Sequence, residues 1–295
     1  MGRVGESEEV VNMVKTALQL GFRHLDTASN YGNEHSVGLG IQASGIPREE
    51  IYVTTKLSGE DHGRVAEALD TSLAKLQLEY VDMYLMHWPQ ALTTEGTALK
   101  PDESPTILET WRQMEELVVS GKAKGIGVSN YSIKTLTPLL EHARIVPAIN
   151  QVEMHPCLPQ HALLAFCQER GIHLTAYSPI GKNKFSTDAD LLEVARTCTH
   201  DHVPGVTATQ VLLSWAVQRG TSVIPKSFRE DRLRENLRLV QLGPEAMKVL
   251  DNLHKKEGMH RSVCGFHSSD LGGSCFGWTY EQLGWNMTLG GIMKD

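Results

Sequence analysis

The chain has 295 residues, 41% of them apolar, which is enough for one large core. Its formal net charge of −7 argues against nucleic acid and anionic membranes as partners, and no apolar run approaches the length of a bilayer span. Five cysteines, Cys157, Cys167, Cys198, Cys264 and Cys275, follow no metal or redox spacing, which points to free thiols in a reducing, cytoplasmic setting.

Residues 7–20 predict an amphipathic helix, with Ser7 as N-cap, acids in the first turn and Gly21 as the stop. A strand over 23–27 follows. Turn-forming residues then lead to Tyr31 and Gly32, and Glu34 opens a helix over 34–44. Strand 51–56 ends in Lys56, helix 64–76 carries an apolar face, and strand 81–87 ends in His87. Trp88 and Pro89 come directly behind it. Residues 91–104 form a long polar loop, a length usually found in lids or disordered segments.

Further along, helices are expected over 105–120, 132–142, 159–170, 188–198, 207–219, 229–239 and 244–256. Strands fall between them at 124–129, 147–153, 172–178 and 221–226. Residues 181–187 are a second excursion, and the tail from Glu257 is Gly- and Ser-rich, then aromatic. The alternation of strand and helix predicts a parallel sheet of seven strands. His200-Asp201-His202 has no third ligand nearby in sequence and reads as solvated.

The spacing from Asp26 to Lys56 is 30 residues, and from Lys56 to His87 it is 31, about one βαβ unit each. Ionisable residues at the same place in successive units converge on one site if the strand ends share a face. The bland alternatives are a turn acid at Asp26, a half-buried loop aromatic at Tyr31, a surface Lys56–Asp26 ion pair and a core His87. Trp111 and Trp215 sit within helices and read as core.

At these residues the chain resembles the aldo-keto reductase family. Asp26, Tyr31, Lys56 and His87 match its four catalytic positions. The likeness continues through Gly125-Ile-Gly-Val-Ser-Asn130, Asn150-Gln-Val-Glu-Met-His-Pro156, Leu174-Thr-Ala-Tyr-Ser-Pro179 and Ile224-Pro-Lys-Ser227. Within the family, fungal NADP-dependent alcohol and glycerol dehydrogenases are the nearest likeness. The resemblance implies one α/β domain over 1–295, a (β/α)8 TIM barrel, with 257–295 as a tail over the active-site mouth. It implies a monomer or weak dimer acting on a small carbonyl or alcohol substrate.

Reducing a carbonyl needs a hydride and a proton. No side chain gives hydride, so a nicotinamide cofactor, NADPH/NADP, is required. Tyr31 is the candidate proton donor, helped by the Lys56 ammonium, which Asp26 holds charged; a neutral His87 orients the carbonyl oxygen. Trp88 is expected to wall the substrate pocket. There is no G-x-G-x-x-G fingerprint, so the cofactor is held in a different way from a Rossmann fold. The cations around Lys226 and Arg232, at the start of a helix, make sense if an anion docks there.

By resemblance, Lys226, Ser227 and Arg232 would hold the adenosine 2′-phosphate, Asn236 would contact the adenine, and Phe228 and Glu235 would also bind the cofactor. Arg229 replaces what is often a small hydroxyl residue. Ser129, Asn130 and Gln151 would grip the carboxamide, and Tyr177 would stack on the nicotinamide. Ser178, Pro179 and Ile180 would follow the pyrophosphate. The competing readings are a non-catalytic NADP-binding regulator, an inactive shortened form, and an aldolase using Lys56 as a Schiff base. The family's N-terminal hairpin and first strand have no counterpart before residue 7, which predicts seven barrel strands and a shortened form of a longer chain.

Overall fold

The computed structural model describes residues 5–198 and 205–294. His200-Asp201-His202 and residues 1–4 therefore lie outside the described residues. Helix α1 (Glu8–Leu20) starts where the Ser7 side chain accepts the Val10 N–H, and ends at Gly21 with φ 112°. Strand β1 (His24–Asp26) and helix α2 (Glu34–Ser44) follow. The Glu6 carboxylate accepts the N–H groups of His35 and Ser36 at 3.2 and 2.7 Å, an acid at the positive end of α2. Two glycines let this layer close up. A Cβ at Gly40 would lie 2.6 Å from Val14, and one at Gly38 would lie 2.2 Å from the Leu76 carbonyl oxygen.

The alternation continues through β2 (Tyr52–Leu57), α3 (Val65–Leu76), β3 (Val81–Met86), α4 (Ile107–Val119), β4 (Ala123–Ser129) and α5 (Ile133–His142). Every residue of β3 is buried, as expected of a strand covered on both faces. Helix α4 begins later than Pro105 because Thr106 and Glu109 form a reciprocal capping box. The 91–104 loop is neither a free lid nor disordered. Leu92 bridges Ala98, and its N–H donates to the Gly59 carbonyl at 2.9 Å. His62 is fully buried, and neither ring nitrogen has a hydrogen-bond partner; burial pushes its pKa down to about 4.

Next come β5 (Ile149–Glu153), α6 (His161–Gln168), β6 (His173–Tyr177), α7 (Ala189–Thr197), α8 (Ala208–Gln218), β7 (Ser222–Val223), α9 (Glu230–Asn236) and α10 (Pro244–Asp251). The parallel sheet runs β1 to β7 in chain order, with the seven strands expected. Sequential order marks a βα barrel; a doubly wound sheet would reverse direction at a switch point. Strand β7 is shorter than expected because Pro225 has no N–H to extend the ladder. Helices α9 and α10 are also shorter than the ranges read from periodicity.

The chain folds as two compact units, Met1–Asn150 with Lys226–Leu233, and Gln151–Pro225 with Arg234–Asp295. In the first, β1 to β4 pair in parallel, with Asp26 opposite Thr54 and Lys56 opposite Leu85. In the second, β6 pairs with β7, and the tail folds on itself. There β9 (Ser274–Cys275) pairs with both β8 (His267–Ser268) and β10 (Trp278–Thr279), helix α11 spans Tyr280–Leu283, and β11 (Met287–Thr288) pairs with β12 (Ile292–Met293).

The tail is moored to β5. The buried Glu153 carboxylate accepts from Ser262 Oγ at 2.5 Å, from the Val263 N–H at 2.7 Å and from His155 Nε2 at 3.0 Å. Burial works to raise the Glu153 pKa, but the bonds from His155, Ser262 and Val263 outweigh it and hold the group below its ordinary value. None of the five cysteines is in a disulfide. Among the described residues, no helix is long and apolar enough to cross a membrane.

Candidate active site

Asp26 is the last residue of β1, Lys56 the penultimate residue of β2, and His87 the first residue after β3. Strand alternation therefore presents them from adjacent strand ends. Tyr31 reaches the same place from a one-turn 3₁₀ helix, Ser29–Tyr31, that ends at Gly32 in the left-handed region. All four expected residues come together within the first unit.

The Lys56 ammonium is fully buried and donates to Asp26 Oδ1 at 2.5 Å and to the Thr27 carbonyl at 2.7 Å. It also lies 5.1 Å from the centre of the Tyr31 ring. The Tyr31 and His87 rings meet edge to face at 5.5 Å. Desolvation pulls the Lys56 pKa down, but Asp26 and Tyr31 more than reverse it, and the group is held above its ordinary value. An amine kept charged in this way is a poor Schiff-base nucleophile, which removes the aldolase reading.

The loop bearing Tyr31 is tied at both ends. Thr27 Oγ1 donates to Asn33 Oδ1 at 2.8 Å, and Ser29 Oγ donates to the Lys56 carbonyl at 2.9 Å. Sequence reasoning missed these ties, and it also missed buried Glu34, whose Oε1 accepts from Thr55 Oγ1 at 2.6 Å. The only sequence signal was an acid opening a helix, which normally reads as solvated.

Ser129 ends β4, and Asn130 follows at φ 66°. Asn130 Nδ2 donates to the His87 carbonyl at 2.8 Å, so the ends of β3 and β4 are locked together. Trp88 is half-buried beside His87.

Lys226, Ser227, Phe228 and Arg232 belong to the same unit as the four residues. Helix α9 opens with Glu230 and Asp231 ahead of Arg232, so its first turn carries acids as well as the expected cation. Arg229 precedes that turn and closes onto Asp231, so its charge is spent locally. Among the described residues, Lys226 and Arg232 make no salt bridge and stay exposed. Lys226 Nζ lies 4.6 Å from the centre of the Phe228 ring. Cations and a serine in this segment are the donors a phosphate group takes.

In the second unit, Gln151 is buried on β5 and Tyr177 ends β6. Ser178 follows with φ 50°, then Pro179 and Ile180. Glu235 Oε1 accepts from Thr207 Oγ1 at 2.5 Å, which orients the last turn of α9, where Asn236 also sits.

Asp26, Lys56 and His87 thus stand at successive strand ends of a sequentially ordered βα sheet, with Tyr31 brought to them by a 3₁₀ turn. Residues 3–255 match the model of the Aldo/keto reductase family. The chain is 42% identical to glycerol 2-dehydrogenase (NADP(+)) of Saccharomyces cerevisiae over 275 residues, covering 88% of this chain and 87% of that one. It is 43% identical to D-galacturonate reductase of Hypocrea jecorina over 257 residues, covering 83% and 82%. The crystal structure of a Bombyx mori aldo-keto reductase in complex with NADP aligns with a TM-score of 0.79 and 34% identity, covering 90% of this chain and 89% of that one. The chain belongs to the aldo/keto reductase family.

Proposed function

We propose that the protein interconverts aldehydes or ketones and alcohols with NADP(H), and that Tyr31 is the proton donor in the reducing direction. The observation that carries this reading is the Lys56 ammonium, buried between Asp26 and Tyr31. The bound cofactor supplies the hydride. Tyr31 gives its proton to the carbonyl oxygen as charge develops there, and Lys56 stabilises the phenolate left behind. Asp26 keeps Lys56 charged and fixed. His87, beside the Tyr31 ring, orients the carbonyl oxygen by a hydrogen bond.

Within the first unit, Lys226, Ser227 and Arg232 would hold the 2′-phosphate, and Ser129 and Asn130 the carboxamide. Trp88 and the 91–104 loop would bear on substrate selection. The names of the relatives, a glycerol dehydrogenase and a galacturonate reductase, favour polyol- and sugar-derived carbonyls.

The test is Tyr31→Phe, assayed with NADPH and a panel of aldehydes. Reduction should be lost while NADPH binding, read by fluorescence titration, stays near normal. Near-normal turnover would overturn the assignment.

A further inference from the structure

We infer that Glu34 is a positioning residue for this reaction: through Thr55 it fixes the loop that carries Tyr31 against the strand that carries Lys56. The inference rests on the reading of Tyr31 and Lys56 just proposed. Glu34 is the first residue of α2 and is 1% exposed. Its bond from Thr55 Oγ1 is 2.6 Å long and joins two buried groups. Thr55 is the immediate neighbour of Lys56 on β2, so the two side chains leave opposite faces of the strand. One face presents the ammonium to Tyr31, and α2 grips the other.

This bond completes a closed frame. Tyr31 sits within residues 27–33, whose ends are joined by the Thr27–Asn33 bond. Lys56 Nζ donates to the Thr27 carbonyl at one end, and Glu34 follows Asn33 at the other. The loop thus meets β2 at both ends, through Lys56 on one face and Thr55 on the other. Removing the second tie takes away the bond that fixes the first residue of α2 to β2, and with it one restraint on the position of Tyr31.

An apolar residue would fill this place without desolvating a carboxyl. Burial raises the Glu34 pKa, with Thr55, Ser72 and Lys75 pulling it back down. Glu34 Oε2 and the nearby Tyr84 Oη are both buried without a hydrogen-bond partner. Buried orphans of this kind need a reason. Holding Thr55 supplies one, and a neutral amide would hold it equally well.

The test compares Thr55→Val, Glu34→Leu and Glu34→Gln, with Tyr31→Phe as control. NADPH titration counts folded sites, so kcat is expressed per folded site. Thr55→Val and Glu34→Leu should lower kcat roughly tenfold or more, as small misplacements of reacting groups do. The NADPH Kd should stay unchanged. The solvent deuterium isotope effect on kcat should rise, because proton transfer from a displaced phenol becomes slower. Glu34→Gln should restore most of the loss. Wild-type kcat and isotope effect in Thr55→Val would overturn the inference, as would failure of Glu34→Gln to exceed Glu34→Leu. Turnover retained in Tyr31→Phe would overturn the proton-donor reading and this inference with it. An inactive Tyr31→Phe beside a normal Thr55→Val would sink only the role of Glu34.

Discussion

His62 folds only as the neutral imidazole, since it is buried and neither ring nitrogen is bonded. Its pKa falls from 6.5 to about 4 on burial, while the unfolded chain keeps the ordinary value. Below pH 6.5 the unfolded state therefore takes up a proton that the folded state refuses until about pH 4. Stability is complete above that window and falls by about 3 kcal/mol as pH drops through it. Urea midpoints measured from pH 7 to 4.5 should show this fall, and His62→Leu should flatten it. An unchanged slope in the variant would mean that other groups carry the acid sensitivity. The positions of Asp26, Lys56 and His87 were legible in the sequence because each lies within a residue of a strand end, and strand ends repeat at a near-fixed interval. His62 and Glu34 were not, because their meaning lies in what packs over them.

Elements were legible where the pattern was long. Helix α1 was bounded within a residue by Ser7 and Gly21, whereas β7 was overextended because Pro225 ends its ladder. The tail escaped altogether, since two-residue strands are too short to show a period. Its start is held, besides, by one side chain of β5. Glu153→Ala would strip the buried Ser262 hydroxyl and Val263 N–H of their acceptor and should cost at least about 2 kcal/mol. Limited proteolysis should then cut faster beyond residue 262, and unchanged cleavage would count against the mooring. Because the Glu153 pKa is held below its ordinary value, its contribution is present above the usual carboxylate range and lost as pH falls through the folded value.

At the scale of the whole molecule, a net charge of −7 repels an anionic cofactor, so any attraction must be local. Lys226 and Arg232, both exposed, are the cations proposed to supply it. Lys226→Ala with Arg232→Ala should weaken NADPH binding by roughly 1.5–3 kcal/mol per contact and spare NADH. Equal losses for both cofactors would mean that the pair does not read the 2′-phosphate. The sequential parallel sheet was legible from the alternation of strand and helix. The division of the chain into two compact units was not, because no composition shift marks Asn150 or Lys226.

That division bears on how such a protein changes over generations. Asp26, Tyr31, Lys56 and His87 all fall within one short stretch of coding sequence, inside the first unit, and the tail from Glu257 falls wholly inside the second. Mutations that reshape the tail therefore accumulate at codons remote from those of the four residues. The two stretches can drift or recombine separately, so a change in one is inherited without a change in the other.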